Sequence, residues 1–191
     1  MLLWTIQAQA AYKRMLDTGV LRADENHLLF EGNYGFKKSY LWMSEQMRKR
    51  IGNPLEEVRF PVWAWYQWEG KRKRIDMRSH GFSDTPGEPI VLLTVDVPED
   101  RVLLSDFDNW HFVLNNSEVP YIEDHDWDKE YSQQEKEDSW ELIFNYDKAY
   151  DDCPLSTQAT MWEIRREWVK KAEFFKTRLP AGLRKREQPN Q

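Results

Sequence analysis

The chain has 191 residues, of which 31% are charged, and a formal net charge of -6. That length fits one domain with a sizeable core, and the negative balance disfavours indiscriminate binding to nucleic acid or to an anionic membrane surface. Cys153 is the only cysteine, which excludes an intramolecular disulfide and a four-cysteine zinc site within one chain and suits a reducing cytoplasm.

The first residues, Met1-Leu-Leu-Trp-Thr-Ile-Gln7, predict a short buried strand. They lack a basic region before them, and Lys13 and Arg14 interrupt the apolar run before it reaches a spanning length, so neither a signal peptide nor a membrane span is expected. Residues 8–18 predict a helix with Tyr12, Met15 and Leu16 on one face, ended by a left-handed Gly19. Residues 20–35, with Asp24, Asn26, Gly32 and Gly35, predict a loop holding at most one short extended piece. The clearest helix follows: Phe36, Tyr40, Met43, Met47 and Ile51 recur at spacings of three and four until Gly52 and Pro54 stop it.

The segment Pro61-Val-Trp-Ala-Trp-Tyr-Gln-Trp68 is the most distinctive in a chain that holds ten tryptophans. Alternation puts Val62, Ala64 and Tyr66 on one face of a strand and Trp63, Trp65 and Gln67 on the other, so both faces are largely apolar. A strand covered on both sides belongs in the middle of a sheet, and its indole N–H groups need partners, which points to a polar or ligand-bearing cleft nearby. A basic turn, Gly70 to Arg74, comes next. Residues 90–97 and 101–105 predict two strands joined by a Pro-Glu-Asp turn, and residues 105–115 one or two turns of helix. Ser132 and Glu135 have capping-box spacing and open a helix placed at 133–148. Residues 157–164 fit a helix or a strand by pattern alone; we assign a strand to about Arg165, then a short turn or helix, then a last piece at 172–175.

Charge is unevenly spread. Residues 118–138 carry nine acidic and two basic side chains, whereas residues 163–187 carry nine basic and four acidic ones. Such runs read as solvated faces, or as an acidic flap and a basic segment that meet a partner. The domain is placed at residues 1–179, with a flexible tail at 180–191.

Standard chemical signatures are absent: there is no glycine-rich dinucleotide or phosphate loop, no His-Glu-x-x-His and no Gly-x-Ser-x-Gly. Glu123-Asp-His-Asp126 is the best metal candidate, but no second spaced histidine supports it, and no metal is expected. Asp106, Asp108 and His111 fit either a carboxylate–imidazole pair or, preferentially, the cap of a short helix.

Five segments carry a resemblance: Met1 to Gln7, Tyr40-Leu-Trp-Met-Ser-Glu-Gln-Met47, Pro61 to Gln67, Leu104-Ser-Asp-Phe-Asp-Asn-Trp-His111 and Gln158-Ala-Thr-Met-Trp-Glu-Ile164. Over nearly its whole length the chain resembles the bacterial family numbered 3841 among the domains of unknown function, which implies no activity. In the order of its elements it is also similar to the ADP-ribosyltransferase superfamily. That second resemblance implies a split-sheet cleft holding NAD as substrate, with Trp4 and Thr5 on the first strand, Tyr40 as the stacking aromatic and Glu163 as the acid that supports transfer. Trp63, Trp65 and Arg78 complete the cofactor-binding set. In the DNA-modifying members the acid directly follows Gln-Ala, where this chain has Thr160.

The expectation is therefore a single α+β domain with a central, mostly antiparallel sheet, continuous or split, flanked by about three principal helices. Its expected function is that of an NAD-using ADP-ribosyltransferase-like enzyme of toxin or defence type with an unidentified acceptor. The alternative is a non-catalytic module that binds a nucleotide or peptide in an aromatic cleft, and a third option is a protein that works only through a partner.

Overall fold

Leu3 and Trp4 point to opposite faces of the first strand and both are buried, so the strand is covered on each side. The computed structural model describes residues 1–25, 34–55, 58–77, 87–120, 126, 128–146 and 154–176. Strand β1 (Leu2–Ala8) runs into helix α1 (Gln9–Thr18), which buries Met15. Gly19 ends α1 at φ 83°, a conformation that favours glycine, and its N–H donates to the Met15 carbonyl at 2.8 Å. The predicted extended piece is β2 (Val20–Leu21). Helix α2 (Tyr34–Ile51) follows, and Met43 and Met47 of the expected stripe are fully buried.

The tryptophan segment forms β3 (Val62–Gln67) and is followed by β4 (Pro89–Asp96) and β5 (Leu103–Asp106). Residues 105–115 make a full helix, α3 (Phe107–Leu114), because Asp106 caps it by accepting from the Asn109 N–H at 2.8 Å. The capping box forms as predicted between Ser132 and Glu135, opening α4 (Gln133–Ser139). The chain then tightens into a 3-10 turn over Trp140–Phe144, shorter than the single helix expected there. Trp140 and Ile143, three apart, eclipse in 3-10 geometry and both reach the core. The final strands are β6 (Thr157–Met161), β7 (Ile164–Arg165) and β8 (Val169–Lys176). The expected strand through Arg165 is thus broken at Trp162 and Glu163, because β7 leaves the main sheet to pair with β2.

Six strands make one sheet in the order β5-β6-β3-β1-β4-β8, and every pairing is antiparallel. Together with the four α-helices and the small β2–β7 ribbon found among the described residues, this is a single α+β domain. Register sorts the side chains onto two faces. Leu3, Val62, Ala64, Leu93 and Ala159 face α1 and Met15 in one cluster. On the other face Trp63 and Trp65 sit beside Thr160 and Gln158 of β6, and α2 and α3 cover part of that face with Met43, Trp110 and Val113.

The strand at the centre is joined unequally to its neighbours. β1 pairs with β4 from Leu2–Asp96 through Ala8–Ile90, but with β3 only at Trp4–Trp65. Beyond that point side chains take over from the backbone. Thr5 Oγ1 donates to the Trp63 carbonyl at 2.7 Å, and Gln7 Nε2 donates to Thr5 Oγ1 at 2.8 Å. Among the described residues no helix is long and apolar enough to cross a membrane.

Candidate functional site

The loosened β1–β3 seam is where the molecule opens. A cavity of about 470 Å³ lies over it, walled by Tyr40 of α2, Trp63 and Trp65 of β3, and Phe107 and Trp110 of α3. Thr5, His111 and Gln158 are its polar lining. A second cavity of about 350 Å³ also reaches the seam, through Ile6, Gln7, Val62 and Trp63, and extends to Arg14 of α1.

Two aromatic groups build the walls. Tyr40, Trp63 and Trp110 form a mutual cluster, with ring centroids 4.9 Å apart for the two indoles and 5.6 and 5.8 Å from Tyr40 to each. Trp65, Trp68 and Phe107 form the other, Trp65 lying 4.5 Å from Trp68 and 4.7 Å from Phe107 in edge-to-face contacts. Edge-to-face packing fixes ring orientation, because each positive ring edge meets a negative face. His111 extends the second group, 4.7 Å from Phe107. Its Nδ1 lies 3.0 Å from the Phe107 carbonyl, so donation from Nδ1 leaves Nε2 of a neutral ring as an acceptor at the rim. Burial raises the Tyr40 phenol above its ordinary pKa, so the ring stays neutral.

The cleft overlies polar atoms that lack partners. Trp63 Nε1, Gln158 Nε2 and Ser105 Oγ are all buried and make no hydrogen bond. By register they occupy the same sheet face, Ser105 opposite Gln158 and Gln158 opposite Trp65. Other buried indoles are satisfied: Trp140 Nε1 donates to the Ser117 carbonyl and Trp162 Nε1 to the Gly52 carbonyl, each at 2.8 Å.

Of the residues singled out from sequence, Thr5, Tyr40, Trp63 and Trp65 line this one cavity. Trp4 does not line it; it packs with Ile75 and Leu92, and the Arg72 guanidinium lies 5.4 Å from its ring. Arg78 lies outside the described residues, as do Cys153, the 180–191 tail and all of the Glu123–Asp126 cluster except Asp126. Among the described residues no group of three or more His, Cys, Asp or Glu is arranged to hold a metal.

Glu163 also does not line the aromatic cavity. It sits in the turn between β6 and β7, where its Oε2 accepts from Arg22 Nε at 3.0 Å and Nη2 at 2.8 Å, and its Oε1 from Arg165 Nε at 2.9 Å. Burial pushes its carboxyl up, but the hydrogen bonds from Arg22 and Arg165 outweigh burial and hold it below the usual carboxylate range. The cavity beside it measures about 20 Å³, room for a water rather than a nucleotide. Asp106 and His111 take the capping arrangement rather than a carboxylate–imidazole one: Asp106 holds the Asn109 N–H and His111 the Phe107 carbonyl. Burial raises the Asp106 pKa, and the Asn109 hydrogen bond opposes that rise.

Sequence reasoning missed Phe107, Trp110 and Gln158. The spacing of Phe107, Trp110 and His111 at three and four residues was the available sign that one face of α3 looks onto the tryptophan strand. Gln158 carried no such sign, since its position depends on which strands β6 lies between.

Compared with known proteins, residues 2–138 match the pattern of one family, described as Domain of unknown function (DUF3841). No curated protein and no solved structure matches the chain. The matched segment contains Thr5, Tyr40, Trp63, Trp65 and Trp110, whereas Gln158 lies beyond it.

Proposed function

The chain belongs to the DUF3841 family, whose description states no activity, and we propose from the cleft that it is a binding module for a flat heteroaromatic ring of the nucleobase class. The observation that carries this reading is the arrangement of five aromatic side chains around one open cavity with a polar floor. A ring slotted among them gains dispersion and quadrupole contacts, and base–aromatic stacking contributes about 1–3 kcal/mol per base without any catalytic group. The volume accommodates a nucleoside, being within the usual range of small-ligand sites. Titration calorimetry with AMP, GMP, UMP and NAD tests the reading. Binding by the wild-type protein that Trp110→Ala weakens at least tenfold supports it; no binding of any of the four overturns it.

A second reading, NAD-dependent ADP-ribosyl transfer, draws support from the seam, because Thr5 on the first strand and Gln158 on a late strand both reach the same cavity. It has its cleft but not its expected acid, since Glu163 is engaged by two arginines away from the cavity. Nicotinamide release from NAD that disappears in Glu163→Ala would favour this reading over simple binding. Release that persists in the variant would assign the chemistry to other groups.

A further inference from the structure

The buried polar atoms under the cleft say what the ring should carry. A donor taken out of water and left unpaired loses its hydration with nothing in return, so such groups are rare unless function uses them. Here three cluster on neighbouring strands of one sheet face: Trp63 Nε1, Gln158 Nε2 and Ser105 Oγ. Their neighbours are satisfied. Thr160 Oγ1, next but one along β6 and on the same face, donates to the Leu103 carbonyl at 3.2 Å, and Asp106, adjacent to Ser105, accepts the Asn109 N–H. The deficit is therefore local to the strands beneath the aromatic walls, and Gln158, although 5% exposed, lines the cavity.

An indole N–H only donates, and a primary amide nitrogen only donates. Two donors of this kind at diagonal positions on adjacent strands of one sheet face, with a hydroxyl that does either, match an acceptor with two lone pairs. We propose that the cleft selects a heteroaromatic ring bearing an exocyclic carbonyl oxygen, held by the Trp63 N–H and the Gln158 amide, in preference to the same ring without that oxygen. This rests on the ring-binding reading above and adds its specificity. Both nitrogens are buried, so binding includes a small turn of the Gln158 amide toward the ligand. Trp63 then acts through its edge, donating at the ring's periphery, while the other aromatic walls of the cavity supply the stacking faces.

The test compares inosine with purine riboside, which keeps the purine but lacks the exocyclic oxygen. Calorimetry should give inosine at least a tenfold advantage, because a site built to donate rejects a ligand that leaves its donors unpaired. Trp63→Phe keeps an aromatic face and removes the donor; Gln158→Leu keeps the volume and removes the amide. In each variant the advantage should fall to within about threefold, with the melting temperature confirming that the protein is folded. Equal affinity of the two nucleosides for wild type, with both weakened by Trp110→Ala, would overturn the specificity and leave the cleft reading intact. An advantage undiminished in both variants would also overturn it. No binding of either nucleoside would overturn the cleft reading and the specificity together.

Discussion

The aromatic cleft and the Glu163 corner lie in one domain and treat polar groups in opposite ways. At the corner the charges satisfy one another: the Glu163 carboxylate takes three guanidinium hydrogen bonds, and Arg165 lies 5.6 Å from the Trp168 ring. In the cleft, large rings are anchored by their neighbours while the buried polar atoms beneath them have no partner. Paired groups hold a fold in one arrangement, whereas unpaired ones raise its energy until something supplies the missing partner. Glu163, named from sequence as the acid, is held by Arg22 beside β2 and Arg165 of β7, away from the aromatic cavity.

That contrast can be broken by substitution, beginning with a tryptophan that behaves as core. Trp140 is fully buried and its N–H is bonded to Ser117, so Trp140→Ala should cost about 3–5 kcal/mol in denaturant unfolding. A cost below about 1 kcal/mol would mean that the aromatic cluster under α2 is loosely packed. Glu163→Gln should cost about 1–2 kcal/mol at neutral pH, a value reduced for the partial exposure of both arginines. Its sign with pH is fixed. The folded-state pKa of Glu163 lies below its unfolded value, so the stabilisation is present above the ordinary value of 4.5 and is lost as pH falls through the folded one. Unfolding curves of the two proteins should therefore converge on acidification below pH 4.5, and a gap that widens instead would contradict the ion-pair account.

Asp106 gives a smaller and more discriminating effect. Asp106→Ala removes the α3 cap and should cost about 1 kcal/mol, while Asp106→Asn keeps a capping oxygen without burying a charge and should be close to neutral at pH 7. If both variants lost the same stability, the charge itself would be the requirement. A small change is also expected for Trp63→Phe, at less than about 1 kcal/mol, because the N–H it removes has no partner and the lost ring opens onto an existing cleft. Measured beside Trp140→Ala, it separates a tryptophan kept for binding from one kept for packing.

Local chemistry made much of the architecture legible. Gly19, the Met43–Met47 stripe, the Ser132–Glu135 box and the two-faced tryptophan strand each have a short-range cause, and each element appears where that cause puts it. What sequence did not disclose was long-range. The turn at Glu163 exists because β7 is drawn to β2, and Arg22 is brought to Glu163 by that ribbon, across 141 residues of sequence. The cleft was half legible: Tyr40, Trp63 and Trp65 stood out by type and spacing. Phe107 and Trp110 required knowing which strand α3 lies over, and Gln158 required knowing that β6 lies beside β3. Trp4 shares the sheet face of its partner Trp65 but packs with Ile75 and Leu92 beside the cavity rather than lining it, which depends on long-range packing.

The strand order also governs how the protein comes to be folded. None of the contacts that build the large sheet is a tight hairpin: β1 meets β4 about ninety residues away, β3 meets β6 across a similar span, and even β5 and β6 are separated by some fifty residues. Each pairing must close a long loop before it gains any burial, so folding should be slow for a domain of this size. During synthesis, β3 has its tryptophans made but lacks β6 until residue 161 has been added. Until then a strand rich in indole is unprotected on one edge, open to pairing with the wrong segment.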